Sequence, residues 1–252
     1  MSPPPQMHMP GPSAAHAIPP DRWAGTGAPA RPAVIRHPLA FALILTGLAG
    51  FLDAAAFVQF DHLYVSFMSG NSTHLGLTLA GWDMPRMLAV LAVICAFVAG
   101  SAAGTWIADH HEGQFSARVL AFEAVLLCAA IAAALASLSL PCVMIVALTM
   151  GLQNVLHQAV CGVDVGKGFV TGMLFHLGQS LARLVSGTAK VGHVLTSLFN
   201  WLAFVAGAAA GALALPAIGF TGCLLVGAGI ILALLAHLWR TGRSHARPTP
   251  SP

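Results

Sequence analysis

Carboxylates lie inside otherwise apolar stretches of this sequence. Asp53 follows G-F-L within a long apolar run, and a carboxylate on a membrane helix costs about 2.5 to 3.5 kcal/mol near the bilayer centre. Two explanations are open for it: a proton or cation site, or an aspartate near the interface that caps the loop after its segment. Glu123 is one turn into its own segment, so we expect its side chain to reach the interface.

A second group of polar residues is present twice. Residues 67–76 read F-M-S-G-N-S-T-H-L-G and residues 169–178 read F-V-T-G-M-L-F-H-L-G. The ligand-binding candidates of the two copies are Ser69, Gly70, Asn71 and His74, and Thr171, Gly172 and His176. In each copy the Gly and His are four residues apart and share a helix face. We expect the two faces to meet at a pseudo-twofold axis as a polar site; the alternative is that they hold helices together.

A third group lies on a segment near the middle of the chain. Gln153, Asn154 and His157 are strong hydrogen-bonding groups that would be wasted on lipid, so we expect them to face the interior. Asn154 aligns with Asp53 across the repeat, so one side of a shared site would titrate and the other would not. A hydrogen-bonded network that only fixes the helix register is the alternative.

The elements that must position these residues are membrane helices. Of the 252 residues 57% are hydrophobic and 8% charged, whereas soluble domains carry about 25% charged residues. A soluble enzyme, a nucleic-acid-binding protein and a disulfide scaffold are therefore unlikely classes. Eight apolar segments follow one another: Leu39–Phe60, Val65–Ala80, Met87–Ala108, Val119–Leu140, Cys142–Cys161, Phe169–Val185, Leu195–Leu215 and Ile218–Leu238.

The segments fall into two tandem units of four. Besides the copies at 67–76 and 169–178, residues 97–104 are matched by 204–211 at a separation of 107, and residues 50–53 by 151–154 at a separation of 101. The sequence predicts repeats at 38–140 and 141–240, a disordered Pro-rich tail at 1–36 and a basic tail at 241–252. The G-x-x-x-G pairs Gly100 with Gly104 and Gly207 with Gly211 are typical of close helix packing.

The number of membrane crossings is open at this stage. If all four segments of a unit cross, the units are parallel and the protein has eight spans. If the short segment is re-entrant, the units are inverted and the protein has six. Both arrangements keep most basic residues, and both termini, on the cytoplasmic side. The shortness of two segments and their central Gly favour re-entrant helices.

The motifs also carry a resemblance. By G-F-L-D-A-A-A-F at 50–57, F-M-S-G-N at 67–71 and the following G-x-x-x-G, residues 38–240 resemble the YoaK-like family of bacterial integral membrane proteins. Its members have a G-x-x-D-A start and a T-G-N centre at these places, and Ser69 stands where Thr is usual. The family is a domain of unknown function. The resemblance therefore implies a membrane location and a fold, and no activity.

The sequence predicts an all-α, polytopic transmembrane helix bundle of six to eight segments in the bacterial cytoplasmic (inner) membrane. We expect a transporter or permease for an unknown small solute or ion, with the short segments and Asp53 lining the path. The alternatives are a structural or regulatory membrane subunit and, less favoured, an intramembrane hydrolase. No nucleophile elbow or H-E-x-x-H is present. We expect no enzymatic activity, cofactor, metal or nucleic acid, with the lipid bilayer as a partner; a homodimer is left open.

Overall fold

The computed structural model describes residues 38–110, 115–161, 169–188 and 190–244, without the side chains of 157–161, 169 and 242–244. Within these ranges the chain forms seven α-helices and no strand. The helices are α1 (Pro38–Gln59), α2 (Met68–Ala80), α3 (Met84–His110), α4 (Phe115–Leu135), α5 (Ser139–Cys161), α6 (Phe169–Val185) and α7 (Val191–Ser244). The predicted tail at 1–36, and the predicted basic tail beyond residue 244, lie outside the described residues.

Five of these helices, α1, α3, α4, α5 and α7, are long and apolar enough to cross a membrane. Large apolar side chains on them also point outward: Val98 on α3 is 59% exposed and Leu213 on α7 is 79% exposed. In water such side chains would form large apolar patches, which soluble monomers rarely show. Lipid is the solvent that suits this surface, because a helix satisfies its own backbone hydrogen bonds there.

The last helix, α7, consists of two parts joined by a break. The sequence predicts separate segments at Leu195–Leu215 and Ile218–Leu238, and the structure joins them in Val191–Ser244. Gly219 interrupts the helix with φ 66° and ψ 174°, three residues after Pro216. A straight helix of 54 residues would be about 80 Å long, against about 30 Å of hydrocarbon. We call the part before the break α7a and the part after it α7b.

Helices α1 and α7a meet through glycines at backbone contact. A Cβ added to any of three glycines would lie within 2.2 Å of a carbonyl oxygen of the other helix: Gly207 against Gly47, Gly211 against Phe51 and Gly50 against Phe204. Residue numbers rise together along both helices, so the two run parallel. Only a residue without a side chain allows this approach.

Helices α3 and α5 meet in the same way. An added Cβ would lie 1.9 Å from a carbonyl oxygen at Gly100, 2.1 Å at Gly151 and 3.2 Å at Gly104, the oxygens belonging to Leu148, Phe97 and Leu152. These helices are also parallel. The packing role that the sequence predicts for both G-x-x-x-G pairs agrees with these contacts.

The two glycine contacts occupy corresponding places in the chain. In one contact Gly207 of α7a meets Gly47 of α1, and in the other Gly100 of α3 meets Leu148 of α5. The corresponding residues of α1 and α5 are 101 positions apart in the sequence, and those of α3 and α7a are 107 positions apart. Each contact also joins the two predicted repeats, since α3 belongs to the first and α5 to the second. In each contact, therefore, a helix of one predicted unit packs on a helix of the other.

Helices α4 and α5 form an antiparallel hairpin. The turn at 136–138 includes Ser137 with φ 58°, and the Cys142 thiol donates to the carbonyl oxygen of Ala130 at 3.4 Å. Pro141 lies in the first turn of α5, where its missing N–H costs nothing.

Helix α4 also packs on α7. Its buried positions recur every three or four residues: Ser116, Val119, Leu120, Glu123, Ala124, Leu127 and Ala130.

Candidate functional site

Asp53 holds the loop that follows its own helix. It lies on α1 six residues before the helix ends, and it is 2% exposed. Its Oδ1 accepts hydrogen bonds from the backbone N–H groups of Val65 (2.8 Å) and Ser66 (2.7 Å), and its Oδ2 accepts one from the Ser66 hydroxyl (2.5 Å). Of the two explanations that the sequence leaves open, these contacts support the cap of the following loop.

The same contacts explain why α2 is shorter than expected. The sequence predicts a segment from Val65 to Ala80, but the helix begins only at Met68. The N–H groups of Val65 and Ser66 are taken by Asp53, and Asp61 and His62 before them have positive φ. Residues 61–67 therefore form a loop, which returns along α1 to the level of Asp53.

Asn71 fixes the loop from the other side. It is fully buried on the first turn of α2, its Oδ1 accepts the backbone N–H of Tyr64 at 3.0 Å, and its Nδ2 donates to the Tyr64 carbonyl at 2.7 Å. A single amide thus satisfies both backbone groups of one loop residue. The sequence treats Asn71 as a ligand-binding candidate, and the structure uses both polar atoms of its side chain internally.

Gly70 makes room for the aromatic rings of the loop. A Cβ there would lie 2.6 Å from the Phe67 ring and 2.7 Å from the Tyr64 ring. These two rings pack edge to face with their centroids 5.1 Å apart. We call Asp53, Ser66, Gly70 and Asn71 the α1–α2 clasp, because together they fix this loop between the two helices.

An ion pair joins the end of α1 to the start of α3. The guanidinium of Arg86, on the first turn of α3, donates to the carboxylate of Asp61, just after α1. Both side chains are about half exposed, and Arg86 lowers the pKa of the Asp61 carboxyl below its usual range by this hydrogen bond and by its charge. The last residue of α1 and the first turn of α3 therefore lie at the same end of the bundle.

The remaining candidates on α2 are more open. Ser69 is exposed, and its carbonyl accepts a hydrogen bond from the exposed Thr73 hydroxyl. His74 is half-buried, and its ring centroid is 6.3 Å from that of His62. His62 follows the end of α1, so the middle of α2 also lies near that end of the bundle.

The structure does not bring the two short segments together. Helix α2 packs on α3, and α6 packs on α7, with no contact between α2 and α6 in the described part of the chain. On α6, Thr171 is exposed, Gly172 is buried and His176 is half-buried. The expected meeting of the two Gly and His faces is therefore absent. The loop before α6, at 162–168, lies outside the described residues.

On α5 the structure places Gln153 in the interior. It is 4% exposed, its Nε2 donates to the carbonyl oxygen of Leu45 on α1 at 3.0 Å, and its Oε1 has no hydrogen-bond partner. Gln153 therefore lies inside the bundle, where the sequence expects the whole group to lie. Asn154 is half-buried, and the side chain of His157 lies outside the described residues.

Glu123 does not lie where the sequence predicts. The sequence predicts a side chain at the membrane interface, but Glu123 is fully buried in the bundle, and neither of its carboxylate oxygens has a hydrogen-bond partner. The reason is the helix start: α4 begins at Phe115 rather than at Val119, so Glu123 is two turns deep. The signal that could have found it is the spacing of small and apolar residues around it, which places Glu123 on the face of Leu120 and Leu127.

Across the described ranges, no three His, Cys, Asp or Glu side chains come together as metal ligands. The polar groups that do cluster are amides, hydroxyls and single carboxylates. Such groups can hold a proton, a small cation or a polar solute.

The described residues form seven helices, five of them long and apolar enough to span a bilayer, with an apolar exterior. These features define a multi-pass α-helical membrane protein. The chain belongs to the family described as "Protein of unknown function (DUF1275)", whose model matches residues 41–237. It is similar to the UPF0700 transmembrane protein RA0705 of Rhizobium meliloti (strain 1021), with 31% identity over 174 residues, covering 69% of this chain and 74% of that protein. The YoaK-like resemblance is confirmed, because YoaK-like proteins belong to this family. No solved structure matches the chain.

Proposed function

We propose that the protein is a small-solute transporter or permease of the bacterial cytoplasmic membrane, without enzymatic activity. In this proposal it has two inverted repeats of three crossings each and a re-entrant α2. The supporting observations concern three features: the matching glycine contacts, the ion pair between α1 and α3, and the exposed polar side chains of α2.

The duplication is supported by contacts and not by sequence alone. A repeat that is only compositional would not reproduce atomic contacts. Here Gly207 meets the carbonyl of Gly47, and Gly100 meets that of Leu148, the residue 101 positions after Gly47, both at 1.9 Å for an added Cβ. The same holds for Gly50 and Gly151, at 2.2 and 2.1 Å. We therefore treat 38–140 and 141–240 as two copies of one unit.

The Asp61–Arg86 pair supports six crossings over eight. In an eight-span protein α2 would carry the chain to the opposite face, and the first turn of α3 would lie about 30 Å from the end of α1. An ion pair between Asp61 and Arg86 is incompatible with that distance. If α6, the counterpart of α2 in the second unit, is re-entrant as well, each unit crosses three times. An odd number inverts the second unit relative to the first, and six crossings return the C-terminus to the cytoplasmic side proposed for the N-terminus.

The single observation that carries the transport proposal is the exposed polar face of α2. Ser69, Ser72 and Thr73 are exposed on a helix of 13 residues that enters from one end of the bundle. Polar, non-spanning helices are tolerated at membrane depth only where protein or water covers them. Many secondary transporters place such interrupted helices along the solute path.

The crossing number can be tested by sidedness labelling. Single cysteines at Gln59, Gly81 and Asp109, in a variant without native cysteines, are probed on intact cells with a membrane-impermeant thiol reagent. Six crossings predict that Gln59→Cys and Gly81→Cys share one side and that Asp109→Cys has the other. If Gln59→Cys and Gly81→Cys label from opposite sides, α2 crosses and the inverted model is wrong.

The solute path can be tested along α2 itself. We expect Ser69→Cys and Thr73→Cys to react with a water-soluble methanethiosulfonate. The matched controls Leu88→Cys and Val98→Cys, on the exposed apolar surface of α3, should remain unreactive. If the α2 cysteines are as unreactive as these controls, the aqueous path along α2 is contradicted. If a co-purifying membrane protein covers these α2 positions, the alternative of a structural or regulatory subunit is favoured instead.

A further inference from the structure

Glu123 and Gln153 present buried oxygen atoms that lack hydrogen-bond donors. Both carboxylate oxygens of Glu123 and the Oε1 of Gln153 are without a partner, and the two residues are 0% and 4% exposed. Unpartnered buried acceptors are rare, because each forfeits its hydration without replacement. Here two such residues lie on α4 and α5, which pack against each other, and this suggests one shared site.

The register of the α4–α5 hairpin sets these residues close together. The thiol of Cys142 reaches the carbonyl of Ala130, and in an antiparallel pair each step back along α4 matches a step forward along α5. Seven residues on from this contact, Glu123 is level with Thr149. Gln153 is four residues further on the same buried face of α5, about 6 Å along the axis.

The duplication gives the same neighbours by a separate route. The burial pattern of α4 recurs in α7b at a separation of 104, so that Glu123 corresponds to Gly227. A Cβ at Gly227 would lie 3.4 Å from Leu48 and 3.8 Å from Leu52, both on α1. The residues 101 positions after these two leucines are again Thr149 and Gln153.

The donors of α5 closest in register to Glu123 make hydrogen bonds elsewhere. The Thr149 hydroxyl donates to the carbonyl of Ile145 at 2.8 Å, and one N–H of the Gln153 amide donates to Leu45 at 3.0 Å. Within the described residues, no donor reaches either carboxylate oxygen of Glu123. An ionised carboxylate in the membrane interior without a donor or a counter-charge is costly.

Exposure distinguishes most of the described charged and titratable side chains of α3, α4, α5 and α7 from Glu123, since an exposed side chain lies on the outside of the bundle. The exposed ones are Arg86, Cys95, Asp109, His110, Arg118, Cys128, His193, His237 and Arg240. Cys142 and Cys223 are buried thiols. His157, Cys161 and Arg243 have side chains outside the described residues, and in the hairpin register His157 is two turns beyond Thr149.

We infer that Glu123 is an exchangeable proton-binding site inside the helix bundle, and that its protonated carboxyl donates to Gln153 Oε1. A proton from hydronium in the surrounding water forms the O–H bond of the acid, and the O–H bond broken in hydronium leaves a water molecule. The carboxylate loses its charge and gains an O–H that can donate to Gln153 Oε1. If the proposed transport function holds, this proton is the candidate coupling ion; the site itself does not depend on transport.

Infrared difference spectroscopy of the protein in lipid bilayers tests the inference. We expect a carbonyl stretch of a protonated carboxylic acid in the wild type, lost in Glu123→Gln and unchanged in Asp53→Asn. In ²H₂O the band should shift to lower frequency, because the site exchanges. In Gln153→Met, which keeps the length but removes the carbonyl acceptor, the band should remain and shift to higher frequency.

Three outcomes would overturn the proposal. Absence of an acid band that depends on Glu123 would mean an ionised carboxylate and a metal cation or another partner. A band that ²H₂O does not shift would mean a sealed acid, and a band unmoved in Gln153→Met would exclude the hydrogen bond. If the α2 cysteines prove unreactive, the transport proposal fails while all these infrared bands are unchanged. Failure of the transport proposal can therefore be distinguished from failure of the proton-site proposal.

A labelling experiment on the wild-type chain covers the case in which a variant does not fold. Dicyclohexylcarbodiimide enters lipid and reacts with protonated carboxyls. Mass spectrometry should find the adduct on Glu123 and not on Asp53, whose oxygens are occupied by three donors. Equal modification of both residues, or none on Glu123, contradicts the proton site.

Discussion

Replacement of Asp53 is the sharpest test of the α1–α2 clasp. Asp53→Ala leaves the backbone N–H groups of Val65 and Ser66 without an acceptor, and Val65 is fully buried. At about 1 to 3 kcal/mol for each unsatisfied buried group, the loss is roughly 2 to 6 kcal/mol in the free energy of unfolding. In Asp53→Asn the remaining carbonyl oxygen can still accept both N–H groups, and the Ser66 hydroxyl can turn to accept from the new amide.

The expected loss for Asp53→Asn is therefore smaller, roughly 1 to 3 kcal/mol, because charged hydrogen bonds become neutral ones. The assay is reversible unfolding of the purified protein in mixed micelles, at increasing mole fractions of a denaturing detergent, followed by circular dichroism. Asp109→Ala, an exposed carboxylate at the end of α3, is the matched control and should stay within about 0.5 kcal/mol of the wild type.

A local measurement separates the loop from the rest of the bundle. Hydrogen exchange of a peptide covering 61–68 should accelerate more in Asp53→Ala than in Asp53→Asn, while a peptide from the α4–α5 hairpin stays unchanged. If both variants lose the same stability, or if Asp53→Ala behaves like Asp109→Ala, the reasoning that Asp53 acts as a hydrogen-bond acceptor for the loop is refuted.

Two further predictions concern the contact between helices and the ion pair. Gly207→Ala should lower the free energy of unfolding in detergent by about 1 to 3 kcal/mol, because the added Cβ meets the rigid carbonyl of Gly47. The control Gly229→Ala should cost nothing, since no atom lies within 4 Å of its added Cβ. Equal effects of the two substitutions would contradict the helix contact. Arg86→Gln should lower the free energy of unfolding only slightly, because the pair is exposed to water. The pKa of Asp61 is lowered in the folded protein. The stabilisation by the ion pair is therefore present above the unfolded pKa of about 3.9 and is lost as the pH falls through the folded pKa. If Arg86→Gln keeps the same acid dependence of stability as the wild type, the ion pair is contradicted.

The helical architecture and the glycine pairs could be predicted because they depend on composition and short spacing. Apolar runs of membrane length predict helices, and G-x-x-x-G predicts close packing wherever the partner lies. The identity of the partner could not be predicted. Periodicity shows that Gly100 and Gly104 face a helix, but nothing local distinguishes α1 from α5 as that helix.

The sequence leaves the role of Asp53 open between an ion site and a loop cap, and it treats Asn71 as a ligand-binding candidate. In the structure both side chains hold the loop at 61–67. The sequence could not decide this, because a buried carboxylate that caps a loop and one that binds an ion have the same residue type and depth. What separates them is the return of residues 61–67 along α1, a tertiary feature.

Glu123 was misjudged for a different reason. Its depth depends on where α4 begins, and the boundary between a turn and a helix is the least determined part of a sequence-based assignment. Four residues at the helix start move a carboxylate from the interface to the interior. Gln153 was predicted to face inward, and its free Oε1 became informative only beside Glu123.

The glycine contacts join helices that are distant in the chain, and this bears on the order in which the protein can assemble. When α1 has entered the membrane, its partner α7a is still to be synthesised, and α3 likewise precedes α5. We therefore expect lipid or the insertion machinery to cover the contact surfaces of Gly47 and Gly100 at that stage. The native contacts close only when the later helices arrive, so we expect the two halves of the chain to fold together as one unit.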